Sequence, residues 1–505
     1  MIIVIDFGSQ TCHLIGRQIK DLGVEVKIID PETPIKEIKK MQPKGIIFSG
    51  GPDSVYGKNA PSIDKKIFIL NIPILAICYG WQLIAYLQGG KVISGYKEYG
   101  PANLKINIQQ PLFNQVESYS KVWVSHGDTV VKNPPGFVIL GTTDMVKNAA
   151  CADFNRKIFG VQFHPEVEHT VFGKEILKNF VKNICRLKTS KRKININELV
   201  LDIKKQVGRK KVICAVSGGI DSTVAATLIV KAIGKNSYPI YIESGLMRLG
   251  TKKEVLWIFK KNLKIYPIIV EAEKIFLKKL KGIIDPEEKR KIIGNLYIEL
   301  FEKEAKKIKD VKFLAQGTIY SDVIESKGTK KADKIKSHHN VGGLPSRLEL
   351  KLLEPLRYFY KDEVRFIGKK LGLPNKIVNK QPFPGPGQAI RIIGEVTKDR
   401  LIKQQQADKI VLEEIIRGNY YEKIFQSFSI LTGIKSTAVK GDTRFFGEVV
   451  GLRIYDSSNI MTADWSHLPY EILERISSRI VNEVPDVSRV VYDITTKPPA
   501  TMEWE

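Results

Sequence analysis

The chain predicts an α/β protein in three parts, the first on a mostly parallel sheet, the second doubly wound and the last α+β. Three observations carry that prediction. Short β-branched runs at 2–6, 24–29, 45–48, 74–77 and 158–163 alternate with helical stretches, as in an α/β layer fold. At 211–231, KVICAVSGGIDSTVAATLIVK, an apolar strand breaks at Ser217-Gly218-Gly219 and resumes as a helix. The 505 residues are enough for about three cores.

Bulk composition narrows the class. With 43% hydrophobic and 27% charged residues the chain reads as an ordinary globular protein. No apolar run reaches the roughly 18 residues of a membrane span, and MIIVIDFGSQ reads as a first strand; the expected place is the cytoplasm, away from membranes. Cys12, Cys78, Cys151, Cys185 and Cys214 are odd in number and widely spaced, without a CxxC pair. That argues against a disulfide framework or a zinc site and for a reducing compartment. The net charge of +26 would suit a nucleic acid, yet the lysines spread over the whole length without interleaved aromatics. No nucleic-acid partner is expected.

The first domain is placed at residues 1–187. Its sharpest feature is PILAICYGWQL (73–83), a buried strand running into Cys78, then a glycine turn and a helix. This is the layout of a nucleophile elbow with cysteine as nucleophile. A thiol needs a base nearby, and His164 in GVQFHPE (160–166) closes a strand with Glu166 two residues on, placed to orient the imidazole. The competing reading, a packed cysteine and a capped strand-end histidine, explains either feature alone but not both together.

The motifs CYG (78–80), SGGPDS (49–54), SHGD (125–128) and QFHPE (162–166) resemble those of class I glutamine amidotransferases. That resemblance implies a Cys78–His164–Glu166 triad that releases ammonia from glutamine. It also implies an oxyanion hole from the N–H groups of Tyr79 and Gly51, a glutamine contact at Gln82, and a 125–128 loop bordering the pocket. The chain departs from the family pattern at Ala76 (usually Gly), Trp81 (often Met) and Thr11-Cys12-His13 (usually Tyr-Thr-Gln). None of these is expected to touch the triad.

Residues 188–196 read as a linker, within a 186–211 stretch of ten Lys or Arg against two Asp or Glu. A short amphipathic helix is predicted at 196–207.

The second domain is placed at 197–385. The strand–SGG–helix unit converges backbone N–H groups and the positive end of a helix on one point, as phosphate binding requires. Asp221 facing phosphates needs a cation between them, and Mg²⁺ is the usual one. The stretch resembles the PP-loop of ATP pyrophosphatases, which implies an ATP site at Ser217, Gly218, Gly219, Ile220, Asp221, Ser222 and Thr223. Strands are expected at 239–243 and 314–318. The lysine-rich 327–336 reads equally as a lid over phosphates or as an exposed loop.

Further motifs at 337–345 (SHHNVGGLP), 353–364 and 381–387 (QPFPGPG) are similar to the glutamine-hydrolysing GMP synthase family, and the similarity runs from Met1 to Glu505. It implies adenine nucleotide alpha-hydrolase-like architecture in the second domain and a C-terminal dimerisation domain at 386–505. It further implies XMP, ATP and glutamine as substrates, with Mg²⁺, and a homodimer. XMP contacts are implied at His338, His339, Arg391, Lys497 and Glu503. Glu243-Ser244 (Asp-Asn), Ser321 (Pro) and Lys380-Gln381 (Arg-His) depart from that family's pattern. In the last domain a helix is expected at 397–416, with strands near 451–455 and 490–493. KPPATMEWE (497–505), with its prolines and Trp504, reads as a docked end instead of a frayed tail.

The alternative is a PP-loop enzyme that modifies tRNA; it requires an RNA-binding domain that the sequence does not display. A PP-loop ligase acting on another acid is opposed by the 337–387 motifs.

Overall fold

The computed structural model describes residues 1–190, 194–320, 322, 350–457, 463–497 and 499–505. His338, His339 and the 327–336 lysines lie outside the described residues. The chain forms two compact units that divide between residues 190 and 194, inside the predicted linker.

The first unit is built on one nine-stranded sheet. Its strands are β1 Ile2–Ile5, β2 Val26–Ile29, β3 Gly45–Phe48, β4 Ile74–Ile77, β5 Lys91–Ile106, β6 Tyr119–Lys132, β7 Val138–Thr142, β8 Ala150–Asp153 and β9 Ile158–Val161. The order is β2-β1-β3-β4-β9-β8-β7-β5-β6. From β2 to β9 the neighbours run parallel. From β9 through β6 they run antiparallel, so the sheet is half parallel where a mostly parallel one was predicted. Along β1, Ile2 and Val4 enter one apolar cluster while Ile3 and Ile5 enter another. Both faces are therefore covered, and continuous apolar runs are what such strands require.

The second unit holds two sheets. One consists of β10 Lys211–Ala215, β11 Ser237–Glu243, β12 Ile268–Glu271, β13 Val311–Ala315 and β14 Lys351–Leu353, all parallel in the order β12-β11-β10-β13-β14. The chain leaves β10 towards β11 and later returns to β13 on its other side. The carboxyl end of β10 is thus the topological switch point, where ligands of open α/β sheets bind. The other sheet pairs β15 Gln426–Lys440 with β16 Thr443–Asp456, and β16 with β17 Asp464–Trp465 and β18 Val487–Tyr492. Ile213 and Ile242 share a core with Leu401, Ile410 and Val450, so residues on both sides of 385/386 pack together. The helix predicted at 397–416 spans Lys398–Arg417, with the Thr397 hydroxyl accepting from Arg400 N–H at 3.3 Å.

Candidate active sites

In the first unit β4 is buried throughout and delivers Cys78 to the start of helix Tyr79–Leu87. Cys78 takes φ 49°, ψ −107°, a strained backbone for a side chain and the signature of an elbow. The turn closes tightly: a Cβ on Gly80 would lie 2.6 Å from Phe48 Cβ. One on Gly160 would lie 2.2 Å from the Trp81 ring, so the bulk at position 81 is taken up by glycine opposite.

His164 follows β9 at Val161 by three residues, and its Nδ1 lies 2.8 Å from Glu166 Oε1. Cys78 Sγ lies 3.6 Å from Ser125 O and 3.7 Å from Gln162 Nε2. Burial pushes the imidazole towards neutrality. The facing Glu166 carboxylate and Cys78 sulfur outweigh it and hold the ring well above its ordinary value. A charged imidazole opposite a sulfur is the arrangement a cysteine nucleophile needs.

Gly50 presses on this pair, since a Cβ there would sit 3.0 Å from His164 Cε1. On Gly51 it would sit 2.8 Å from Phe7 O and 3.2 Å from Tyr79 Cγ. Tyr79 opens its helix, where N–H groups have no intrahelical partner. The two residues assigned to the oxyanion hole are therefore neighbours. Gln82 is buried and donates to Asp128 O at 2.7 Å. The 125–128 stretch is part of strand β6, not the loop expected, and borders the sulfur through its backbone.

One expectation is overturned. Thr11 does touch the triad: its hydroxyl donates to Glu166 Oε1 at 2.6 Å. His126 of the SHGD motif, given no role of its own from the sequence, is buried on β6 with Nε2 3.2 Å from Glu98 Oε2. Burial lowers its pKa to about 4, so it is neutral beside the triad.

In the second unit β10 ends at Ala215 and helix Ile220–Ile233 begins five residues later. Gly218 takes φ +80°, and a Cβ there would meet Thr251 Cγ2 at 2.6 Å. Ser217 and Ser222 hydroxyls lie 3.1 Å apart, and Thr223 donates to Gly219 O at 2.7 Å. Asp221 Oδ2 pairs with Lys361 Nζ at 2.6 Å. Its Oδ1 is buried without a hydrogen-bond partner among the described residues. Lys380 donates to Gly218 O at 2.9 Å and to Glu254, tying the loop to helix Thr251–Trp257. Gln381, beside it, instead accepts from Ser427 N–H (3.0 Å) and hydroxyl (2.9 Å).

Arg391 is wholly buried, its Nε and Nη2 on the two Glu503 oxygens at 2.9 and 3.0 Å. Its plane covers Phe428 at 3.9 Å, and Nη1 makes no hydrogen bond among the described residues. Gln426 also donates to Glu503, at 2.9 Å. Buried Lys289 holds Glu505 at 2.6 Å, and Arg453 holds Thr501 O at 2.6 Å. The docked end predicted at 497–505 is present. Lys497 pairs through its backbone with Ala463.

The family model "Glutamine amidotransferase class-I" matches residues 3–184, "NAD synthase" 194–275 and "GMP synthase C terminal domain" 413–504. The GMP synthase (glutamine-hydrolyzing) of Caldicellulosiruptor saccharolyticus is 52% identical over 508 residues, covering 100% of this chain and 99% of its own. The protein of that name from Clostridium perfringens is 50% identical over 507 residues, with the same coverage. The chain belongs to the glutamine-hydrolysing GMP synthase family. These matches give no support to the RNA-modifying alternative.

As a member of the GMP synthase family, the chain carries two sites whose groups the sequence located unevenly. The triad and the PP-loop are each assembled from one or two local motifs. Thr11, Gln162, Lys361, Lys380 and Gln426 reach their sites from 77 to 162 residues away. No spacing rule connects such positions: four of them fell in stretches quoted from the sequence, at 11–13, 162–166, 353–364 and 380–381, but none was tied there to its partner.

Proposed function

We propose that the chain makes GMP from XMP, using glutamine and MgATP and releasing glutamate, AMP and pyrophosphate. Cys78 Sγ attacks the side-chain amide carbon of glutamine, and the oxygen that becomes anionic is met by Tyr79 and Gly51 N–H groups. His164 gives its proton to departing ammonia and then draws one from the water that hydrolyses the thioester. Glu166 keeps the imidazole oriented. Gln82 holds glutamine through the 125–128 backbone that it fixes.

In the second unit XMP O2 attacks the α-phosphorus of ATP and pyrophosphate leaves. Ammonia then attacks C2 and AMP leaves. Ser217, Gly218, Gly219, Ile220, Ser222 and Thr223 cradle the leaving phosphates at the helix N-terminus. Asp221 Oδ1, without a hydrogen-bond partner among the described residues, fits a role in holding Mg²⁺ beside the nucleotide phosphates. Bound there, Mg²⁺ would neutralise phosphate charge. Glu503 and Lys497, with Arg391 behind Glu503 and its Nη1 3.6 Å from Asp408 Oδ1, are assigned to XMP. His338 and His339 are assigned to the same substrate.

Exposed Ile434, Val439 and Phe446 on the β15–β16 pair support a homodimer through the last domain, which light scattering in solution checks. Among the described residues no helix is long and apolar enough to cross a membrane. The cytoplasm is the proposed compartment, in keeping with five unpaired, buried cysteines.

The observation that carries the reading is the coincidence, in one chain, of a buried imidazole–carboxylate pair beside an elbow cysteine and a PP-loop at a switch point. Incubation with XMP, MgATP and glutamine tests it. Equal amounts of GMP, AMP, pyrophosphate and glutamate are expected, and EDTA should stop all but glutamate. Glutamate without AMP in the complete mixture would refute the coupling.

A further inference from the structure

Behind the triad, two donors converge on one carboxylate oxygen. Glu166 Oε1 is 2.8 Å from His164 Nδ1 and 2.6 Å from Thr11 Oγ1, while Oε2 is buried with no hydrogen-bond partner among the described residues. An ionised carboxylate only accepts, so the Thr11 proton must point at Glu166. That fixes the next link. Ser9 Oγ lies 2.9 Å from Thr11 Oγ1 and must donate to it, while accepting from Thr11 N–H at 3.1 Å. The order Ser9 to Thr11 to Glu166, met from the other side by His164, leaves no rotor undecided. Glu166 is held at its main chain as well, where Gln18 donates to its carbonyl at 2.7 Å.

We propose that Thr11 is a positioning residue of the glutamine-hydrolysing site, its hydroxyl fixing the Glu166 carboxylate and sharing the charge that this group offers His164. The inference rests on the triad reading given above. Thr11 lies in the run where the chain departs from the Tyr-Thr-Gln of the family pattern. Two consequences follow from the shared oxygen. Without the hydroxyl the carboxylate can rotate and present Oε2, loosening the imidazole. The charge that Thr11 draws off would also fall wholly on His164 and favour the imidazolium.

The other groups facing this pair are Cys78 at the elbow, His126 on β6, Cys12 on helix Cys12–Asp21 and Asp6 after β1. His126 is neutral in the neutral range, with a pKa lowered to about 4 by burial. The Cys12 thiol is pushed well above its ordinary value by burial and by the Asp6 and Glu166 charges. Neither titrates near neutrality, so a shift of the alkaline limb there is read as that of His164 coupled to Cys78 and Glu166.

The test compares Thr11→Val, Thr11→Ala and Thr11→Ser by glutamate release against pH and by ammonia-supported GMP formation. Val and Ala should lower kcat/KM for glutamine roughly tenfold, as expected for one lost hydrogen bond to a charged group. The loss should lie in kcat, with KM nearly unchanged. The alkaline limb should move up. Ser should restore both, and ammonia-supported synthesis should be unaltered in all three. Wild-type profiles for Val and Ala, or a Ser variant as impaired as Val, would overturn the proposal. Cys78→Ala separates the two readings. Glutamine use by that variant would defeat the triad itself, whereas its loss alongside a wild-type Thr11→Val profile defeats only the role of Thr11.

Discussion

Replacing Glu166 with Gln keeps the shape of the pair and removes the charge that opposes burial of His164. The two side chains are 0% and 10% exposed and 2.8 Å apart. Burial alone favours neutral imidazole, and the raised value of His164 depends on Glu166 and Cys78 outweighing it. Breaking a buried pair from one side costs about 3–5 kcal/mol. Glutamine-dependent turnover is expected to fall about 10⁴-fold, the order seen when a triad loses its orienting carboxylate. Ammonia-supported GMP formation should persist. Stability supplies a second readout with a definite sign. In the wild type the raised His164 contributes stability that is complete below about pH 6.5 and is lost as pH rises through the folded value. In the variant Cys78 alone still opposes burial, so the folded value falls and less stability is lost as pH rises. Urea midpoints between about pH 6 and 8 should therefore fall less steeply in the variant than in the wild type. Turnover on glutamine within tenfold of wild type would show that Glu166 is not the orienting group. Parallel slopes would show that the electrostatic argument fails.

Two further predictions concern the second unit. Lys380→Met should raise KM for ATP about tenfold through loss of the charged hydrogen bond to Gly218 O, with Lys380→Arg closer to wild type and glutaminase untouched; an unchanged KM would sever Lys380 from the loop. Glu505→Gln leaves the buried Lys289 ammonium, 0% exposed, without its 2.6 Å partner and should cost about 3–5 kcal/mol in urea unfolding. Lys289→Met combined with it should recover most of that loss, and a Glu505→Gln midpoint equal to wild type would refute the account.

What the sequence disclosed follows the distance over which a feature is encoded. Strands β1, β3, β4 and β10 are buried on both faces and read directly as β-branched runs. Helix Ile196–Val207 was visible from its own periodicity and is capped by Asn195. Strands β5 and β6 were not, although they span 16 and 14 residues. Their composition is polar, and β5 is interrupted by Gly95 and Gly100 at φ +109° and +111°, so their pairing is imposed by the partner and not by local propensity. The same logic hides Thr11 from Glu166, 155 residues away, and Lys361 from Asp221, 140 away. His164 and Glu166 were legible because they lie two positions apart and one short turn brings them together.

The two sites share one backbone device and resolve its strain differently. Each puts its working atoms at a helix start just beyond a buried parallel strand, and each turns through a positive φ: 49° at Cys78 and +80° at Gly218. Only at the second can that residue be glycine, because a phosphate needs bare N–H groups and close approach. The first needs a sulfur, so a Cβ must occupy a conformation that costs on the order of 1–3 kcal/mol. The surroundings explain why it persists. Cys78 N–H donates to Val161 O at 2.8 Å, Gln82 N–H to Cys78 O at 3.0 Å and Gly80 N–H to Ser49 O at 3.1 Å. Relaxing φ at Cys78 would break these bonds together and lift the helix from β3, where Gly80 leaves no room for adjustment. The elbow is thus over-determined by the sheet beneath it, and the sulfur is presented by packing in the same way that the phosphate cradle is presented by absence of a side chain.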